Sequence, residues 1–470
     1  MAAAAKLVEI GDDTEKQQSG DEVACSQFKH ILNTNVQSTT KSPTLVANES
    51  SLEMVDDGKK VFRFGFGQSP FLPPQQVLDE LSVSSHHKEY TSVEGVLKLR
   101  EAIARFHSCD MDDLEAEDII VGPGSKILIQ QIMQAFDCVT ILLVTPSWVS
   151  YEPQATLSGH AVIRLSTTFE QRWRLTTEIL SDALISRGSN ETPLLLILNY
   201  PGNPDGLSYT NEELKALTKC FRRYNIIVIS DEIYGLVSHH GQHTSLSRYY
   251  PEGTIITSGL SKWCGAGGWR LGIALFPKTL MKLKERCITI GSETYSSTSA
   301  PIQYAAIKAY ATVDGDGAFK TYVHADYIAT YLSHMRRVLA LIGNYCSTAL
   351  RAAGVLVHDP TGGFYLNPCF DSLSDVLLNK KGIRTSVELC DALLRDTGVI
   401  VLNGHAFGYP LDSLVVRLAY VDFDGAAAMD ISVNSGIPLN MPLQVVPHMM
   451  QLAPKVCEGI QRIVDWLKEE

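Results

Sequence analysis

The stretch TIITSGLSKWCGAGGWRLGIALF (254–276) decides how this chain is read. Two apolar runs, TIITS (254–258) and LGIALF (271–276), flank a glycine-rich turn with a single lysine, Lys262, eight residues before Arg270. Short apolar runs bounded by turn residues predict buried strands. The turn between them suggests chemistry of its own. A lysine that forms a Schiff base must shed its proton, and a desolvated site beside another cation favours the neutral amine. The glycines let the backbone approach a phosphate closely, and Arg270 is spaced to neutralise it. These residues by themselves leave a second reading open, a surface lysine in a loop.

Five more runs of the same kind lie upstream: DIIVG (118–122), VTILLV (139–144), AVIRL (161–165), LLLILN (194–199) and IIVIS (226–230). Strands this uniformly apolar are covered on both faces, which predicts a mostly parallel sheet between helices. Among the intervening segments, NEELKALTKCFRRY (211–224) puts Leu214, Leu217 and Phe221 on one face and reads as a crossover helix. Residues 322–354 keep a helical period for far longer and end at Gly354, predicting a connector to a C-terminal domain. KVCEGIQRIVDWLKEE (455–470) carries a stripe of Val456, Ile460, Ile463 and Leu467. Residues 1–58 are polar and aperiodic and are expected to form a mobile arm, with order beginning near Lys60.

At 470 residues, 45% hydrophobic and 20% charged, the chain can bury a large core and a second domain. Its net charge of -12 argues against a nucleic-acid surface, which needs clustered Lys and Arg. No apolar run approaches the ~20 residues of a membrane span, and MAAAAKLVEIGDDTEKQQSGDE (1–22) resembles neither a signal nor a transit peptide, so a cytoplasmic protein is expected. The ten cysteines include no C-x-x-C pair, which points to reduced thiols. His239, His240 and His243, like His86 and His87, lack an identifiable carboxylate or cysteine partner, and no metal site is expected.

Further motifs sit where strands end. SDEIYG (230–235) closes the run IIVIS and puts Asp231 at a carboxyl end, where ligands of open α/β sheets bind; a helix N-cap is the alternative. NYPGNPDG (199–206) follows LLLILN as a tight turn. GPGSKILIQQIMQAF (122–136) sets Gly124, Ser125 and Lys126 at a strand-to-helix junction, an anion site or a plain cap. Arg417, in VVRLAY (415–420), is by its neighbours alone either an ordinary exposed strand residue or a binding group.

The turn 259–272 resembles the lysine signature of the class I/II aminotransferases, members of the aspartate aminotransferase superfamily, and the motifs above follow in that family's order over roughly residues 60–470. The resemblance implies pyridoxal 5′-phosphate (PLP) held as a Schiff base on Lys262. It implies that Asp231 keeps the pyridine nitrogen protonated, an ion pair of about 4 kcal/mol at 4 Å and an effective dielectric near 20, so that the ring remains an electron sink. Tyr234 and Asn203 then bond the phenolic oxygen, Trp148 in PSWVSY (146–151) stacks on the ring, and Ser125, Lys126 and Arg270 hold the phosphate. Tyr90, in KEYTSVEGVLKLREAIARF (88–106), reaches the phosphate of a second subunit, implying a homodimer with shared active sites. Gly67, in FGFGQSP (64–70), and Asn203 meet the substrate, and Arg417 binds its α-carboxylate through a paired contact; GGFYL (362–366) completes the pattern. Two positions depart from the family: Gly259 replaces a serine three residues before the lysine, for which Ser258 or Ser261 would substitute, and Asp205 stands where threonine is usual.

The implied fold is α/β, PLP fold type I: a large domain (91–320) with a mostly parallel seven-stranded sheet, and a smaller α+β domain assembled from 60–90 and 321–470, behind an N-terminal arm (1–59). The implied activity is transamination between an L-amino acid and a 2-oxo acid by ping-pong kinetics, with the freed Lys262 amine moving the proton. A lyase, synthase or oxidase on the same scaffold, or a non-enzymatic module, are the alternatives. GSETYSSTSAPIQ (291–303) resembles the stretch that contacts substrate and phosphate across the dimer interface, and in it Ser292 stands where dicarboxylate-specific members have an arginine. An unpartnered buried carboxylate costs several kcal/mol, so neutral, aromatic or sulfur-containing donors are expected over aspartate.

Overall fold

All seven apolar runs form strands of one sheet. The computed structural model describes residues 33–188, 191–315, 322–443 and 445–469. In chain order the strands are β1 (Ile119–Gly122), β2 (Thr140–Thr145), β3 (Ala161–Ser166), β4 (Leu194–Asn199), β5 (Ile227–Asp231), β6 (Thr254–Gly259) and β7 (Gly272–Leu275). Their spatial order is β1-β7-β6-β5-β4-β2-β3, and only β7 runs antiparallel to its neighbours. The mostly parallel sheet expected from the runs is therefore present, and the reversal falls on the Lys262 turn, which joins β6 to β7.

Period-two alternation explains why these strands are apolar throughout. Ile141, Leu195 and Ile229 face one layer with Leu128 and Ile132, on α2 (Ser125–Gln134). Their chain neighbours Leu142, Leu196 and Val228 face the other layer, with Leu180 of α3 (Thr177–Arg187) and Leu214, Leu217 and Phe221 of α4 (Asn211–Arg223). Both faces thus lose water contact, at about 25 cal/mol per Å² of apolar surface. Edge strand β3 is largely exposed, and its Arg164 pairs with Glu152 in solvent.

The crossover helix α4 begins at a capping box in which Thr210 accepts from the Glu213 N–H and Glu213 from the Thr210 N–H. The long periodic segment is helix α5 (Asp326–Ala352, 27 residues), which starts four residues later than its period suggests because Tyr322–His324 pairs with Thr312–Asp314. Helix α6 (Pro454–Lys468) buries Val456, Ile460 and Ile463. A second sheet comprises β8 (Tyr365–Leu366), β9 (Leu402–Asn403) and β10 (Val416–Ala419), antiparallel in the order β8-β10-β9. Phe62–Arg63 pairs in parallel with Val399–Ile400, bringing residues before the large sheet against those after it. Among the described residues no helix is long and apolar enough to cross a membrane.

The expectation of an unstructured arm up to residue 58 is corrected for its last third. Pro43–Asp56 is helix α1, with Pro43 in its first turn. Its only buried residues are Ser51 and Met54, too few to leave an apolar period in the sequence. It is held by polar bonds instead: Arg63 donates from Nε to Ser51 Oγ at 3.0 Å and from Nη2 to Asn48 Oδ1 at 2.9 Å. Residues 1–32 of the expected arm lie outside the described residues.

Candidate active site

The carboxyl ends of β4 and β5, the β6–β7 turn and the second sheet enclose a cavity of about 530 Å³. Asn199 and Asp231 are register partners at the ends of β4 and β5, and Asn199 Nδ2 donates to the Asp231 carbonyl at 2.9 Å. The Asp231 carboxylate is buried at the cavity wall, where Oδ2 accepts from Tyr151 OH at 2.5 Å and Oδ1 from the Ile233 N–H at 3.3 Å. Burial pushes its pKa up to about 6 against the opposing pull of those bonds. Tyr151 begins a helix three residues after Trp148 and stands edge-on to that ring.

Lys262 Nζ donates to the Gly67 carbonyl at 2.8 Å and lies 5.6 Å from the ring centroids of Tyr234 and Phe364. Burial holds its pKa below that of an ordinary lysine, and the Arg417 and Arg270 charges act in the same direction. The amine is thus biased towards the neutral, nucleophilic form. Tyr234 OH meets Tyr365 OH at 2.9 Å. Gly67 has no room for a side chain, since a Cβ would stand 1.9 Å from Tyr365 OH.

Arg417 is fully buried on β10, so the reading as an exposed strand residue is excluded. Nη1 donates to Asn203 Oδ1 at 3.1 Å and Nη2 to the Gly65 carbonyl at 2.5 Å, while the guanidinium lies over Tyr365 and Phe407. Its Nε is buried without a partner, and no carboxylate pairs with it among the described residues. A buried guanidinium left so is costly unless an anionic ligand completes it.

At the opposite end, Gly124 (φ +98) precedes α2, and a Cβ there would stand 2.2 Å from Arg270 Nη2. Gly272 brings β7 against the same corner, where a Cβ would lie 2.1 Å from the Ser125 nitrogen. These glycines therefore put the start of a helix, its free amides and an arginine together. Lys126 Nζ lies 5.3 Å from the Trp148 ring centroid, and burial together with the Arg270 charge lowers its pKa.

The cavity gathers Gly67, Ser125, Lys126, Trp148, Asn203, Asp231, Tyr234, Lys262, Arg270 and Arg417, ten of the twelve residues singled out from sequence. Ser258 is not among the lining residues: it is buried in β6, whereas Ser261 reaches the cavity. Tyr90 also lies off this cavity and is 91% exposed. Sequence reading missed Tyr151, Tyr365 and the α1 residues Thr44 and Leu45, with the adjoining Ser42, all of which line the cavity. Ser42–Pro43 was a readable helix-start signal. Of the histidines, buried His239 bonds the Pro360 and Gly363 carbonyls, with its pKa lowered to about 4 by burial, His243 bonds Glu232 at 2.8 Å, and His240 is exposed.

Residues 59–422 match the family model described as aminotransferase class I and II. Among curated proteins, the chain is 30% identical over 395 residues to an aspartate aminotransferase of Geobacillus stearothermophilus, covering 82% of this chain and 93% of that protein. It is 26% identical over 399 residues to an asparagine–oxo-acid transaminase of Streptococcus mutans, covering 83% and 94%. Among solved structures, the aspartate aminotransferase of Thermus thermophilus with maleate superposes with a TM-score of 0.75 at 22% identity, over 92% of this chain and 99% of that one.

Proposed function

The chain belongs to the class I and II aminotransferases and is a PLP-dependent transaminase, and on that premise we propose how its residues divide the work. The cavity fits the cofactor: the glycine-lined corner at Gly124 and Gly272 offers amides and Arg270 to a phosphate, and a buried carboxylate lies ready for a ring nitrogen. When bound, PLP supplies a carbon for amine exchange and a ring that withdraws electrons from the substrate Cα.

Lys262 carries the cofactor covalently, and its freed amine moves the proton at the substrate Cα. Asp231 holds a proton on the ring nitrogen, and Tyr151 fixes that carboxylate by donating to Oδ2. Asn203 and Tyr234 bond the phenolic oxygen, and Trp148 covers the ring. Ser125, Ser261 and Arg270 take the phosphate, with Tyr90 contributing across a homodimer, a role supported by its exposure. Gly67 shapes the substrate side and accepts from Lys262 Nζ. Arg417 grips the α-carboxylate, and its orphaned Nε is the observation that carries this reading, because a buried cation with an unfilled donor calls for an anion. We assign 91–320 to the cofactor-binding domain, 60–90 with 321–470 to the smaller one, and the protein to the cytoplasm.

For the donor, the structure favours a different reading from the one based on Ser292. Lys126 lines the cavity and makes no ion pair among the described residues, which supplies a cation of the kind that Ser292 lacks. We therefore propose an acidic donor, with Lys126 facing its distal carboxylate, in keeping with the activity named for the relatives. Borohydride reduction of the holoenzyme followed by peptide mapping tests the core of the proposal: the label is expected on Lys262, and a label on another lysine overturns the assignment.

A further inference from the structure

The turn that presents Asn203 to the cavity is anchored from behind by a buried ion pair. Asp205 Oδ2 stands 2.5 Å from Arg174 Nη2, and both side chains are 4% exposed. Every other polar group of the pair is used inside the protein. Asp205 Oδ1 accepts from the Leu207 N–H at 2.8 Å, while Arg174 donates from Nε to the Arg172 carbonyl at 3.0 Å and from Nη1 to the Leu207 carbonyl at 3.1 Å. The guanidinium also lies over Tyr209, 5.0 Å from its centroid. Neither residue lines the cavity that Asn203 and Arg417 line.

The carboxylate occupies the inside of the turn. The Gly202 N–H donates to the Leu207 carbonyl and the Gly206 N–H to the Gly202 carbonyl, both at 2.9 Å, and a Cβ on Gly202 would stand 2.6 Å from Asp205 Oδ1. Two residues before Asp205, Asn203 gives its N–H to Asn199 Oδ1 at 2.8 Å and accepts from Arg417 Nη1 at 3.1 Å. Burying two ions costs several kcal/mol before their attraction is counted, and breaking such a pair by removing one partner strands the other. A neutral residue would close the turn without that cost, whereas the position of Asp205 depends on a partner 31 residues earlier.

We propose that the Arg174–Asp205 ion pair is a positioning device that fixes the 202–207 turn so that the Asn203 carboxamide stays against Arg417, and through it controls how tightly the site holds a carboxylate. The proposal rests on the assignment of Asn203 and Arg417 made above. Because the pair acts through Asn203, its effect must vanish when that side chain is gone.

The test is a double-mutant cycle on the holoenzyme with Asp205→Asn, Asn203→Ala and both together, reading kcat/KM, the Kd of succinate as a non-reacting carboxylate, and the pH at which the bound cofactor's absorbance titrates. Asp205→Asn is expected to weaken succinate and lower kcat/KM about tenfold in the parent, yet by less than about twofold in Asn203→Ala, and to shift the absorbance titration in the same direction as Asn203→Ala. Should Asp205→Asn not fold, Asp205→Ala combined with Arg174→Met removes both charges together with the acceptor of the Leu207 N–H and is expected to show the same dependence on Asn203. Equal losses in both backgrounds, or no loss in either, overturn the positioning role alone. An Asn203→Ala enzyme that behaves as the parent overturns the assignment of Asn203 and the relay with it.

Discussion

Replacing Asp231 by asparagine should make the cofactor-free protein more stable while crippling the enzyme. The carboxylate is buried, Tyr151 OH and the Ile233 N–H donate to it, and burial outweighs these bonds so that its pKa rises from 3.8 to about 6. A carboxyl whose pKa is higher folded than unfolded binds protons more tightly in the native state. Stability is then lost as pH climbs from about 4 to about 6 and stays lost above that. Two units correspond to about 3 kcal/mol. Asparagine is nearly isosteric, does not titrate, and keeps an oxygen for Tyr151 OH, though a neutral acceptor forgoes roughly 1 kcal/mol of that bond. Denaturant unfolding of cofactor-free parent and Asp231→Asn at one fixed protein concentration should show the variant ahead by about 2–3 kcal/mol at pH 7.5, with the gap shrinking by roughly 2 kcal/mol towards pH 4. A parent protein that is the more stable at pH 7.5, or a gap that widens on acidification, would refute the reasoning. With cofactor bound the order should reverse, because a protonated ring nitrogen gives the buried carboxylate its partner.

Arg417→Ala should lower kcat/KM at least about tenfold in both half-reactions, the worth of a charge-assisted hydrogen bond of about 1.5–3 kcal/mol, and unchanged kinetics would show Arg417 to be a bystander. Lys126→Met should reduce the ratio of kcat/KM for aspartate over phenylalanine by about tenfold or more if Lys126 meets a distal carboxylate, and a constant ratio returns the donor preference to neutral amino acids. Lys262→Ala should retain cofactor by its phosphate contacts and lose turnover by several orders of magnitude, checked by absorbance after gel filtration and by single-turnover kinetics.

The sequence alone determined the sheet and most of the candidate residues that line the cavity, because both rest on local signals. Seven apolar runs report strands covered on two faces, and Lys262, Asp231, Asn203 and Ser125 each sit at the end of such a run or in the turn beside it. What separate segments do to one another carried no such local mark. The sequence Val416-Arg417-Leu418 is equally compatible with an exposed or a buried arginine, and only the packing of β10 under Tyr365 and Phe407 buries it. Tyr151 became the partner of Asp231 across 80 residues, and Asp205 found Arg174 across 31. Helix α1 lacks an amphipathic period because polar bonds to Arg63 hold it by the cavity, not a buried stripe. Ser258 and Ser261, three residues apart, were indistinguishable as candidates until strand β6 buried one and the turn turned the other towards the cavity. Local pattern reports burial and chain direction, whereas the pairing of distant polar groups depends on tertiary geometry that no single segment encodes.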